Sequence, residues 1–266
     1  MEYVEGNGCM VNGNKRRTVV WHTPDITADG LKNFACIMMF LQTVGIAVFE
    51  NGLLHTGQYT QEQFSQALAE NERMMALAGA GSVLQLLGGL AVPIFAFLLV
   101  EGFLHTSDYK RYLLSLTVCA VISEIPYDLA NYRKFWDLSG QNALFSMVIS
   151  LLMLYFLKRF ADREGVAGVL LKSLIVLCAV FWVSVLRAGF GLYIVLLAAV
   201  FYLGYTRNVL KTLLGIIISL LYVTGPLAFY GIWCYNGERK NRIPKYAYYL
   251  FYPLHLLVLG GIAMFC

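Results

Sequence analysis

Pro93 to Thr106 reads PIFAFLLVEGFLHT, an apolar run that closes with the carboxylate of Glu101 one helical turn before the imidazole of His105. Residues four apart share a helix face, so the acid and the base are presented together at the end of a segment that is otherwise hydrocarbon. Extended back to Ser82, the run is long enough for a bilayer core of about 30 Å, which takes roughly 20 helical residues. Read this way, the stretch makes the chain a membrane protein.

Composition agrees. The 266 residues are 59% hydrophobic and 14% charged, with a mean hydropathy of +0.64, more apolar than a soluble domain of this length. Apolar runs occur at 31–49, 82–104, 112–129, 143–160, 169–186, 189–205, 212–233 and 246–265. The expected fold is therefore all-α, a polytopic membrane helix bundle of about eight transmembrane helices in the cell membrane. The hardest stretch is 166–233, where Arg187 and Gly189 separate two short runs and Gly225-Pro226 interrupts a third.

Residues 1–29 are polar, carry NKRR at 14–17 and lack the short apolar core of a cleavable signal. They read as a cytoplasmic N-terminal arm ahead of a transmembrane domain over 30–266. Eight spans from an inside N-terminus put Lys32, Lys110, Arg111, Lys158, Arg159, Arg207 and Lys211 on the cytoplasmic side. Arg73, Arg133, Lys134, Arg187, Arg239, Lys240, Arg242 and Lys245 fall outside. The positive-inside rule supports this orientation modestly, and the basic loop NGERKNRIPK opposes it. Either a span is miscounted between 189 and 233, or contacts hold that loop.

Six scattered cysteines without a C-x-x-C, and no histidines at ligand spacing, point to neither a disulfide framework nor a metal site. The net charge of +4 follows from basic loops and does not indicate nucleic acid. The polar stretch from Glu50 to Arg73 exceeds an ordinary connection and reads as a surface helix, lid or partner surface.

Ionisable residues inside spans carry the functional signal, because each is costly in hydrocarbon unless it faces a cavity or a partner. Glu101 and His105 sit at one end, with Lys110 and Arg111 following and Lys32 at the same level. Glu124 and Asp128 flank Pro126, and Gln141-Asn142 opens the next helix. These side chains, with His255, are expected to face the interior and line one cavity.

Five ordered segments, PIFAFLLVEGFLHT, YLLSL, ISEIPYDL, QNALF and FYPLHLL, resemble the TraX family, named for an integral membrane pilin N-acetyltransferase and related to the broader membrane acyltransferases. The resemblance covers about residues 30–260. It implies an acyl-CoA donor, acetyl-CoA in the first instance, and a peptide or small-molecule acceptor, with the donor phosphates on Lys32, Lys110 and Arg111. Glu101, His105, Asp128 and Asn142 would line the substrate cavity. The chain departs from the family in its first helix, where LKNFACIMMFLQTVG keeps Leu31, Lys32, Ala35, Met39 and Gly45. Gln42 and Thr43 stand where the family has Asp-His. A basic residue before the Pro-Ile-Phe run and an Asp near Arg187 are also missing.

Acyl transfer needs a base at the acceptor, and a threonine is not one. At 1.5 Å per residue, position 43 lies about 16 Å from Lys32, a depth comparable to His255 on the last helix. His255, with Glu124, is thus the catalytic candidate, ahead of His105. Two classes remain open: an acyltransferase, or a degenerate relative kept for binding, transport or assembly.

Overall fold

The computed structural model describes residues 25–239 and 243–266; the polar arm up to residue 24, with Lys240 and Arg242, lies outside them. The described chain is all-α, and its pairings of extended backbone are two isolated bridges, Ile26 with Tyr235 and Gln141 with Ala188.

Side-chain caps start several of the helices. Thr27 Oγ1 accepts the Gly30 amide at the head of α1 (Ala28–Thr43), which continues as a π-helical segment, Val44–Leu53. Thr60 and Gln63 form a reciprocal capping box on α2 (Gln61–Glu70), the surface helix expected between Glu50 and Arg73. Asn71 caps α3 (Glu72–Gly88), which with α4 (Ala91–His105) makes one 34-residue rod. Capping oxygens satisfy first-turn amides that would otherwise lack partners.

Asp108 caps α5 (Tyr109–Ile122), and α6 (Glu124–Tyr132) leaves it at 41°. Pro126 has no amide for the Ile122 carbonyl, which explains a break there, and Ser123 Oγ donates to the Cys119 carbonyl at 2.6 Å. Next come α7 (Ala143–Arg159), α8 (Gly165–Val185) and α9 (Gly191–Leu203). The main core lies where α4, α7 and α9 meet, around Phe97, Leu99, Leu154, Leu197 and Phe201.

Residues 212–233 do not cross as one span. α10 (Asn208–Ser219) enters and α11 (Ala228–Trp233) returns, joined through a 3₁₀ turn at Gly225–Leu227. The antiparallel register is direct: Trp233 Nε1 donates to Thr212 Oγ1 at 3.1 Å, and Gly215 faces Phe229. The turn reaches the middle of the α3–α4 rod, where Thr224 Oγ1 donates to the Leu86 carbonyl. Gly225-Pro226 thus reverses the chain.

This hairpin corrects the charge map. Arg239, expected on the far face, donates to the Glu101 carbonyl at 2.8 Å, beside His105. It joins the end that holds Lys32, Lys110, Arg111, Lys158, Arg159, Arg207 and Lys211. Arg73, Arg133, Lys134 and Arg187 belong to the other end. α12 (Lys245–Phe265) then runs back along α1 and α6.

Pro253 interrupts the α12 ladder, and the Tyr249 carbonyl it leaves accepts from Cys119 Sγ at 3.4 Å. Close approach is glycine-dependent: a Cβ on Gly260 would stand 2.9 Å from the Ala130 amide, and one on Gly45 2.7 Å from the Gly81 carbonyl.

Among the described residues four segments are long and apolar enough to cross a membrane: Ala28–Leu53, Glu72–His105, Gly165–Val185 and Tyr246–Phe265. A fifth is added if the bent pair α5–α6 is one span. That is fewer than the eight expected. α9 and α10, at 13 and 12 residues, extend about 20 Å at 1.5 Å per residue, short of the hydrocarbon core. Lipid is the solvent the surface calls for: α8 is apolar yet largely uncovered by the rest of the chain, with Leu170 at 65% exposure.

Candidate functional site

A cavity of about 750 Å³ runs between α1, α4, α5, α7 and α12. One end is basic and aromatic, lined by Lys32, His105, Arg111, Arg239 and Tyr248; the other reaches Gln42, Thr43, Tyr127 and Tyr252. Gly88 makes room at the inner end, since a Cβ there would collide with the Gln42 side chain.

At the basic mouth, α1 supplies Lys32, 3.8 Å from Asp29 and 5.4 Å above the Tyr248 ring. The Tyr248 hydroxyl donates to Asn33 Oδ1 at 2.8 Å, tying α12 to α1. Glu101 is buried, 3.6 Å from His105 Nδ1. The His105 nitrogen also lies 2.9 Å from the Glu101 carbonyl, the oxygen that Arg239 engages. Glu101 thus sits behind the mouth, and His105 and Arg239 cap the helix end. Lys110 is exposed and lies outside the lining.

At the inner end, Thr43 Oγ1 stands 3.2 Å from His255 Nε2 and 3.0 Å from the Met39 carbonyl. His255 Nδ1 is 2.9 Å from the Phe251 carbonyl. The imidazole stacks on Phe251 at 4.9 Å and meets Tyr252 edge-on at 5.6 Å. It is 5% exposed and does not itself line the cavity, whereas Thr43 does.

Glu124, Asp128 and Asn142 lie behind the wall. Asn142 Nδ2 donates to Glu124 Oε2 at 2.5 Å and to the Ala120 carbonyl at 2.8 Å, while Asn142 Oδ1 caps α7. Asp128 Oδ2 accepts the Asp137 amide at 2.9 Å. Glu124 Oε1 and Asp128 Oδ1 are buried with no hydrogen-bond partner. In the adjoining loop, the Asp137 carboxyl is held down to about 2 by Lys134 Nζ at 2.6 Å and by Ser139.

The structure therefore brings Lys32, His105 and Arg111 together around one mouth. Glu101 and His255 back its two ends, and Glu124, Asp128 and Asn142 form a separate buried network. Sequence reasoning missed Arg239, because its place depends on the α10–α11 reversal. It also missed the cavity-facing part of Thr43, whose partner is 212 residues away. Among the described residues no cluster of three His, Cys, Asp or Glu is arranged to hold a metal.

The chain is similar to a probable fimbrial assembly protein, FimC of serogroup H1, from Dichelobacter nodosus, at 28% identity over 213 residues covering 68% of this chain and 83% of that protein. No solved structure matches it. Residues 27–263, which include the cavity, its basic mouth and the Thr43–His255 contact, match the family described as TraX protein, and the chain belongs to that family.

Proposed function

We propose that the protein is a membrane acyltransferase that takes an acyl group from acyl-CoA, acetyl-CoA in the first instance, and passes it to an amine, such as that of a peptide. One observation carries the reading: a single cavity joins a mouth of fixed cations to a buried imidazole with only Thr43 between them. Lys32, Arg111 and Arg239 suit the phosphates of the donor, Arg as a planar fork and Lys as a point charge. The apolar stretch beyond them, walled by Met39, Phe95 and Leu98, suits the uncharged arm that carries the thioester.

The basic mouth faces the cytoplasm in this proposal, since most cations of the described chain gather at that end and the donor is a cytoplasmic metabolite. The chain then crosses the membrane several times, with its first helix entering from inside.

A second reading is supported by Gln42 and Thr43 standing in place of the family's Asp-His: a scaffold in fimbrial assembly with no chemistry of its own. Calorimetric titration of the detergent-purified protein with acetyl-CoA separates the two. The acyltransferase reading expects saturable binding that Arg239→Ala and Lys32→Ala weaken, and release of free thiol when an amine acceptor is added. Absence of both binding and thiol release leaves the scaffold.

A further inference from the structure

His255 holds the basic nitrogen, yet it does not line the cavity; Thr43 does, and its Oγ1 lies 3.2 Å from that nitrogen. In the neutral imidazole one ring nitrogen donates and the other accepts. Nδ1 faces a carbonyl, that of Phe251 at 2.9 Å, and can only donate to it. Nε2 is then an acceptor, and the hydrogen in the 3.2 Å contact belongs to the Thr43 hydroxyl. The Met39 carbonyl competes for that hydrogen at 3.0 Å, but carbonyls accept through two lone pairs and this one lies within a helix ladder. Thr43 Oγ1 is the side-chain contact at buried Nε2, and leaving that nitrogen unpaired would cost on the order of 1–3 kcal/mol. A hydroxyl held by a histidine whose other nitrogen is fixed by an acceptor is the arrangement of an activated oxygen nucleophile.

We infer that Thr43 is an acyl carrier: a covalent nucleophile, activated by His255, that holds the acyl group as an ester between donor and acceptor. The inference rests on the acyltransferase reading and deepens it. Thr43 Oγ1 attacks the thioester carbonyl while His255 Nε2 takes the hydroxyl proton. The C–S bond breaks, and the thiolate leaves with that proton as free thiol. An acceptor amine then attacks the Thr43 ester, the C–O bond breaks, and the amine proton returns through Nε2 to Thr43 Oγ1. The sum is thioester plus amine to amide plus thiol, with no further reactant. The route accounts for a base that cannot touch the acceptor directly, and it gives residue 43 a role that a threonine can fill.

The test is to mix the detergent-purified chain with acetyl-CoA without acceptor, following thiol release and the intact mass, then mapping any acetyl group by peptide mass spectrometry. The expected result is a stoichiometric burst of thiol and one acetyl on Thr43. Thr43→Val should abolish both, Thr43→Ser should keep both and so show that the site is folded, and His255→Gln should slow the burst about 10²- to 10⁴-fold. Thiol release only when an amine is present, with Thr43→Val turning over like the wild type, overturns the carrier and leaves the acyltransferase reading standing. Acetyl on Cys36 or Cys119, which also line the cavity, overturns it as well. No thiol release and no acetyl-CoA binding by the wild type removes both readings.

Discussion

Asn142 Nδ2 stands 2.5 Å from Glu124 Oε2 and also donates to the Ala120 carbonyl, so one side chain at the start of α7 clamps both arms of the bent α5–α6 pair. Asn142 is fully buried and Glu124 is 6% exposed. Asn142→Ala leaves the Glu124 carboxyl without its side-chain donor and α7 without its cap. A buried group left without its hydrogen-bond partner costs about 1–3 kcal/mol, and a lost cap about 1 kcal/mol. The melting temperature in detergent should fall clearly, and Asn142→Asp should not restore it, because a second acid would face Glu124. An Asn142→Ala protein that melts with the wild type would show that the clamp contributes nothing.

The basic mouth gives a second prediction. Arg239 is anchored at Glu101 and lines the cavity, whereas Lys110 is exposed outside it. Arg239→Ala should raise KM for acetyl-CoA by about tenfold or more, of the order of one charge-assisted contact, with little change in kcat. Lys110→Ala should alter neither beyond a weak, salt-screened effect. Initial rates at low and high salt distinguish the two; equal losses would mean that the mouth is a diffuse field with no site built around Arg239.

The α10–α11 hairpin predicts where a label can reach. Asn236, exposed after α11, lies at the end of Ser107, opposite Gly57 beyond the π-helical segment. In a chain freed of its own cysteines, Asn236→Cys and Ser107→Cys should react with an impermeant maleimide from the same side of sealed vesicles, and Gly57→Cys from the other. If Asn236→Cys labels with Gly57→Cys, residues 212–233 cross as one span and the hairpin is wrong.

The loop after α6 carries a pH dependence of known sign. Asp137 is held at about 2 by Lys134 and Ser139, below the usual carboxylate value near 3.9. A depressed folded-state pKa adds stability that is fully present above the unfolded value and is lost as pH falls through the folded one. Hydrogen exchange at the Ser139 amide, which donates to Asp137 Oδ1, should therefore stay slow from neutral pH to about 4 and rise only as pH approaches about 2. In Asp137→Asn the protection should be weaker throughout and lack this step.

Long apolar runs were legible because hydropathy over a helix length is a local property: Glu72–His105, Gly165–Val185 and Tyr246–Phe265, helices long and apolar enough to cross, form where such runs occur. Residues 212–233 were not, since a span and a folded-back hairpin bury the same side chains and differ only in what lies opposite them. Gly225-Pro226 marked the break but not its angle. Arg239 was misplaced for the same reason, one reversal carrying it to the other end. At the inner site, the depth of position 43 followed from helix rise, and that pointed to His255. The direct contact depends on α12 packing beside α1 and α6, with Gly260 against Ala130, which no local pattern encodes.

The final prediction concerns the family's missing pair. Gln42 and Thr43 both line the cavity, and Gly88 leaves space beside Gln42. With His255 already able to take a proton through Thr43, the double change Gln42→Asp, Thr43→His removes the hydroxyl carrier and installs a second imidazole against the first. Acetyl transfer should then survive only by direct attack of the acceptor. The stoichiometric thiol burst should vanish, and adding His255→Ala to the double variant should cost far less than the roughly 10²- to 10⁴-fold loss expected in the wild-type background. Steady-state turnover against an amine panel for the wild type, both variants and their combination gives the cycle. If His255→Ala costs the same in both backgrounds, the two residues do not act as a unit, and the base reaches its substrate by a path that bypasses residue 43.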